Sequence, residues 1–125
     1  MANKRILIVD DEKDLVSMIK MRLEASGYEA LEAYDGQTAL DKARQEKPDL
    51  IILDLMLPKM DGYMVCRMLK FDEKYKKIPI ILFTARVQDS DKELGKEVGA
   101  DAYITKPFEP NVLLAKIEEL LTKVQ

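Results

Sequence analysis

Three stretches of the chain are almost free of polar residues: "RILIV" (5–9), "LIILDL" (50–55) and "IPIILF" (78–83). Short continuous apolar runs rich in Ile and Leu predict strands buried on both faces. "YEALEA" (28–33) and "DAYIT" (101–105) are weaker strand candidates. Between these runs the apolar residues fall at helical spacing. A first helix over about 13 to 26 carries Leu15, Ile19 and Leu23 and stops at Gly27, which suits a left-handed C-terminal cap. A second begins at "DG" (35–36) and ends before Pro48, and a third follows "MDG" (60–62). A fourth opens at "SDKE" (90–93), where Ser90 and Glu93 can form a capping box. A fifth places Leu113, Ile117, Leu120, Leu121 and Val124 on one stripe, with Pro110 in its first turn. This alternation predicts a single doubly wound α/β domain over residues 1–125, a five-stranded parallel sheet with right-handed crossovers and helices on both faces.

Sheets of this kind bind ligands outside the carboxyl ends of their strands, near the point where strand order reverses. Polar residues collect at those ends here. Asp10 and Asp11 follow the first strand, and Asp54 falls at the end of the third. Helix capping explains one of these acids, since Asp11 at the start of the first helix is worth about 0.3–1 kcal/mol. It does not explain the set. Asp54 lies inside "LIILDLMLP", where an ionised side chain is costly without a partner. A hard divalent cation such as Mg²⁺, bound by oxygen ligands with room for waters, would offset the repulsion. "FTA" (83–85) then puts Thr84 after the fourth strand, and "TKPFEP" (105–110) puts Lys106 after the fifth. Each has an ordinary structural reading: Thr84 as a loop cap, Lys106 as a solvated cation, Pro107 as a turn. Together, a carboxylate nucleophile, an acid pair for metal, a hydroxyl and an ammonium form an arrangement for holding a phosphoryl group.

Composition narrows the picture further. With 125 residues, 47% hydrophobic and 34% charged, the chain suits a compact folded domain and excludes a disordered or fibrous one. The net charge is −3 and the Lys and Arg residues are scattered among acids, so direct nucleic-acid binding is not expected. No apolar run approaches the roughly 20 residues of a membrane span, and acids follow "MANKRILIV" before any cleavage pattern, so a cytoplasmic location away from membranes is expected. The absence of histidine removes His-based triads, HExxH zinc sites and imidazole bases together. Cys66, the one cysteine, can make no internal disulfide and reads as a packing residue in "DGYMVCRMLK".

The pieces "ILIVDDE", "DLIILDLMLPKMDG", "ILFTA" and "GADAYITKPF" occur in that order, and with them the chain resembles the receiver domain of two-component response regulators, of the chemotaxis type, over essentially its whole length. The resemblance implies a flavodoxin-like (βα)₅ fold with strand order 2-1-3-4-5. It implies Asp54 as the phosphoacceptor, and Asp10, Asp11, Asp54 and the backbone carbonyl of Met56 as ligands of Mg²⁺, for which Mn²⁺ can substitute. Thr84 would hydrogen-bond the phosphoryl group, Lys106 would neutralise another of its oxygens, and the Lys106–Pro107 bond would be cis. Phosphorylation adds charge and strong acceptors that draw Thr84 inward. In this family that movement is coupled to an aromatic, here Tyr103, turning from exposed to buried. The readout face would be the fourth helix, fifth strand and fifth helix. For Tyr103 the other reading is an ordinary half-buried strand aromatic. Met56 and Arg86, two beyond Asp54 and Thr84, would flank the path of attacking water and tune the phosphoryl lifetime, while Arg86 reads equally as a solvent-facing residue.

The fourth helix, in "DKELGKEVGA", has chiefly Leu94 and Val98 as anchors and an internal Gly95 that weakens it by about 0.5–1 kcal/mol against Ala. It is expected to be the loosest. The resemblance implies a switch that catalyses only its own phosphorylation and dephosphorylation. Its partners would be a sensor histidine kinase or histidine phosphotransfer protein as donor, a downstream effector, and a second copy in a phosphorylation-dependent dimer. A flavodoxin-like FMN carrier would need a Ser/Thr/Gly-rich loop where "DDEKD" stands. A hydrolase of the haloacid dehalogenase type commonly has a second Asp two residues after its nucleophile, where this chain reads "DLM". A degenerate receiver would only bind partners, yet the acids, Thr84 and Lys106 are all in place. With nothing beyond "KIEELLTKVQ", the chain reads as a stand-alone receiver or equally as the front half of a larger regulator.

Overall fold

A computed structural model describes residues 3–57, 60–84, 99–106 and 108–123. Five strands lie among them, β1 (Arg5–Val9), β2 (Glu29–Ala33), β3 (Leu50–Asp54), β4 (Ile80–Thr84) and β5 (Ala102–Thr105). They form one parallel sheet in the order β2-β1-β3-β4-β5, as the resemblance implied. β3 is buried at every position, and β1 at all but its first, which is why both read as unbroken apolar runs. β2 is an edge strand, half-exposed along most of its length, and its two glutamates interrupt the apolar run, which is why it reads as the weaker strand.

Strand starts shift by one or two residues from the sequence reading for identifiable reasons. Tyr28 donates its N–H to Leu23 O at the end of the first helix, so β2 begins at Glu29. Pro79 has no N–H and joins the sheet only as an acceptor from Ile51 at 2.9 Å, so β4 begins at Ile80 and extends to Thr84.

The helices are α1 (Lys13–Ala25), α2 (Gly36–Glu46), α3 (Gly62–Lys70) and a C-terminal helix (Pro110–Lys123). The expected fourth helix, with Ser90, Glu93, Leu94, Gly95 and Val98, lies outside the described residues, as do Arg86, Pro107, Val124 and the Thr84 side chain. α1 buries Val16, Ile19 and Leu23, with Leu15 only partly covered, and Gly27 just past its end has φ +90°. That is the left-handed conformation glycine adopts without steric cost. The C-terminal helix buries Leu113, Ile117 and Leu120.

Alternation along the strands divides the core into two layers. Ile6, Ile8, Leu50, Ile52, Ile81 and Phe83 pack with α1 and the C-terminal helix. Leu7, Val9, Ile51, Leu53, Ile80 and Leu82 pack with α2 and α3. Each such side chain contributes about 1.5–3 kcal/mol on burial, so the sheet interior supplies the rigid base for its polar rims.

The amino-terminal rim is stapled by matched charges. The Arg5 N–H donates to Asp49 Oδ2 at 2.7 Å, and its guanidinium donates to Glu46 O at 2.9 Å and Oε1 at 3.1 Å, closing the end of α2. On the other side, Lys70 Nζ donates to Ile78 O at 3.0 Å and to Asp101 Oδ2 at 2.9 Å. Asp101 Oδ2 also accepts the Ile80 N–H at 2.8 Å, which ties α3 to the start of β4 and β5.

Candidate functional site

Sheet register alone assembles the acids. Val9 pairs with Leu53, so the next residues, Asp10 and Asp54, leave adjacent strands side by side at the carboxyl edge. Asp54 pairs with Phe83, and Thr84 with Thr105, which brings Thr84 and Lys106 to the same edge. Asp10 is fully buried and Asp54 is 5% exposed, whereas Asp11 is open to solvent. One carboxylate oxygen from each of Asp10, Asp11 and Asp54 lies within 4.8 Å of the others.

Lys106 enters this cluster asymmetrically. Its Nζ lies 2.7 Å from Asp10 Oδ2 but 3.6 Å from Asp54 Oδ1. Asp10 also accepts the Glu12 N–H on Oδ1 at 3.0 Å, so both of its oxygens are used. Among the described residues, Asp54 Oδ1 receives the long 3.3 Å bond from the Met56 N–H besides the distant Lys106 ammonium. Burial, followed by the field of Asp10, pushes Asp54 up to about 6, against the pull of Lys106 and the Met56 N–H. For Lys106, burial favours the neutral amine, but the hydrogen bond to Asp10 and the charge of Asp54 outweigh it and leave its pKa raised. The ammonium is therefore retained at neutral pH, and Asp54 is the poorly compensated member of the cluster.

The sequence reading did not anticipate the wall behind Lys106. Its Nζ lies 5.9 Å from the centroid of the Phe83 ring, which packs tilted against Phe108 with centroids 4.9 Å apart. Such a wall orients the lysine stem and excludes water from one side of the ammonium. The only sequence signal was an aromatic in each of "FTA" and "KPFEP".

The cluster suits a hard divalent cation. Its donors are carboxylate oxygens, the chain has no histidine, and the exposed Asp11 leaves a side open to water, as Mg²⁺ prefers. The uncompensated charge on Asp54 is the kind of cost such an ion relieves. Met56 is 80% exposed just beyond β3, with its peptide N–H against the Asp54 carboxylate.

Tyr103 pairs with Leu82, is half-buried, and packs against the core layer beneath α2 and α3. Cys66 is fully buried in that layer, and burial pushes its thiol up to about 12, which makes it an inert packing residue.

Residues 6–118 match the family model of the response regulator receiver domain. The chain is 48% identical over 121 residues to the alkaline phosphatase synthesis transcriptional regulatory protein PhoP of Bacillus subtilis, covering 97% of this chain and 50% of that protein. It is 49% identical over 123 residues to the phosphate regulon transcriptional regulatory protein PhoB of Pseudomonas aeruginosa, covering 98% of this chain and 54% of that one. The chain thus spans about half the length of these curated relatives. Among solved structures it is similar to the chemotaxis response regulator CheY4 of Vibrio cholerae, with a TM-score of 0.89 and 34% identity over 95% of this chain and 99% of that one. No helix among the described residues is long and apolar enough to cross a membrane.

Proposed function

This chain belongs to the response regulator receiver domain family, and from that premise we propose that Asp54 is the phosphoacceptor of a Mg²⁺-dependent switch. The observation that carries the assignment is the imbalance within the cluster. Asp10 is neutralised by Lys106 at 2.7 Å, while Asp54, buried beside it, keeps an under-compensated carboxylate. Asp10, Asp11 and Asp54, with the Met56 carbonyl, would hold the ion, and Mn²⁺ would serve in its place. When bound, the ion screens the acids from one another and from an incoming phosphoryl group.

The chain's own groups do the rest. An oxygen of Asp54 attacks phosphorus in line, a new P–O bond forms, and the bond to the donor's leaving group breaks. Lys106, already protonated and backed by Phe83, neutralises a second phosphoryl oxygen as charge builds there. Thr84, at the end of the adjacent strand, supplies a hydroxyl to a third. Met56 and Arg86 tune hydrolysis of the product, and the chain catalyses only these two steps on itself.

The added charge draws Thr84 inward and Tyr103 follows. The β5 and C-terminal helix face, with the segment around 90–98, then changes affinity for an effector or a second copy. The donor is a sensor histidine kinase or a histidine phosphotransfer protein. Intact mass after incubation with acetyl phosphate and Mg²⁺ tests the reading. Wild type should gain one phosphoryl group, and Asp54→Asn or a chelator should abolish it. A gain that survives Asp54→Asn contradicts the assignment.

A further inference from the structure

Two helices of the α2/α3 layer begin with the same dipeptide. Asp35 and Asp61 are the N-caps of α2 and α3, accepting from Thr38 N at 2.8 Å and Met64 N at 2.9 Å. The first helical residue is then glycine in both, Gly36 and Gly62. Capping does not ask for glycine there, and neither residue has a positive φ. The requirement is space. A methyl at Gly62 would meet Asp54 O at 2.2 Å and Leu55 Cα at 2.8 Å. One at Gly36 would meet Met60 O at 2.1 Å and Met60 Cβ at 2.7 Å.

These contacts link up. α3 begins against the backbone of Asp54, and the Gly62 N–H closes the turn by donating to Leu55 O at 3.0 Å. α2 begins against Met60, two residues before Gly62. Met56 leaves β3 with its N–H on the Asp54 carboxylate, while Met60 rests on α2, a helix that gives no side chain to the acidic cluster, and Gly62 rests on the Asp54 backbone.

We propose that Gly36 is a positioning residue for the Asp54 site. By admitting the Met60 carbonyl into contact with α2, it sets where the start of α3 at Gly62 lies against the backbone of Asp54 and Leu55, and so the aim of the Asp54 carboxylate and the Met56 peptide. A methyl at 36 forces Met60 O or the helix to retreat by about 1 Å to restore ordinary contact. For phosphotransfer this rests on the reading of Asp54 as phosphoacceptor, whereas for Mg²⁺ binding it does not.

The test compares Gly36→Ala with Gly27→Ala. Gly27 has φ +90° and nothing within 4 Å of an added methyl, so alanine there strains the backbone without pushing on a neighbour. Both variants should unfold at lower temperature than wild type. Gly36→Ala alone should weaken Mg²⁺ binding about tenfold by calorimetry. It should also slow acetyl phosphate transfer at saturating Mg²⁺ by about 10- to 100-fold. Wild-type behaviour of Gly36→Ala in both assays, or equal losses in Gly27→Ala, overturns the proposal. Wild type that binds Mg²⁺ but accepts no phosphoryl group sinks the phosphoacceptor reading, and the Mg²⁺ comparison still decides the role of Gly36. If Gly36→Ala does not fold, an NMR titration of wild type decides. Mg²⁺ should shift the Gly36 and Met60 amides together with Met56, and signals as still as Gly27 overturn the proposal.

Discussion

The two rims of the sheet treat charge in opposite ways. At the amino-terminal rim Arg5 is met by Asp49 and Glu46, and Lys70 by Asp101 and a backbone carbonyl. At the carboxyl rim three carboxylates share one lysine among the described residues, and Lys106 favours Asp10 over Asp54. The first arrangement holds strand starts in register. The second stores repulsion that a cation or a phosphoryl group can release, so stability and function are assigned to opposite ends of the same strands.

Breaking one ion pair at each rim gives the largest expected effects. Asp101→Ala leaves Lys70 and the Ile80 N–H without their shared acceptor, and Lys106→Met leaves buried Asp10 without its cation. Without metal, Lys106→Met should cost about 3 kcal/mol by urea unfolding, the scale for removing one partner of a buried pair, and Asp101→Ala about 1–3 kcal/mol, the scale for leaving the part-buried Ile80 N–H without its acceptor. The rims separate when Mg²⁺ is added, which should restore stability to Lys106→Met and leave Asp101→Ala unchanged.

Asp54→Asn should act in the other direction. Its pKa is raised in the fold, from 3.8 to about 6, so the folded chain holds the proton more tightly than the unfolded one. Stability from this group is then present at low pH and lost as pH rises from about 4 to about 6. At pH 7.5 without metal, Asp54→Asn should stabilise by about 1–3 kcal/mol, and at pH 3.5 it should do nothing. A destabilised Asp54→Asn at pH 7.5 would refute stored repulsion at this rim.

The smallest effect is expected at the exposed Arg5–Glu46 pair, 3.1 Å apart. Glu46→Gln should change unfolding by less than about 0.5 kcal/mol, because solvent screens it. A larger loss would mean that the amino-terminal rim owes its strength to surface pairs as well as to its half-buried clamps.

What the residues revealed in advance follows the same division. Strands β1, β3 and β4 were legible because burial on both faces leaves an unmistakable apolar run, and the acids were legible because such strands deliver their ends to one edge. The preference of Lys106 for Asp10 was not legible, since it depends on differences of under 1 Å between 2.7 and 3.6 Å. Nor was the Lys70–Asp101 clamp, whose partners are separated by 31 positions and belong to no repeating pattern. The roles of Gly36 and Gly62 were hidden for a further reason. Glycine in "DG" advertises a turn, and only the packing of the folded chain reveals that the missing methyl makes room for a carbonyl.

The most direct measurement is to locate the phosphoryl group. After acetyl phosphate and Mg²⁺, borohydride reduction converts an aspartyl phosphate to homoserine, which tandem mass spectrometry of peptides places in the chain. Homoserine at position 54 alone, absent when Mg²⁺ is chelated, is the expected result. Homoserine at position 10 or 11, or none anywhere in folded protein with Mg²⁺ bound, would contradict the assignment of Asp54 as the acceptor.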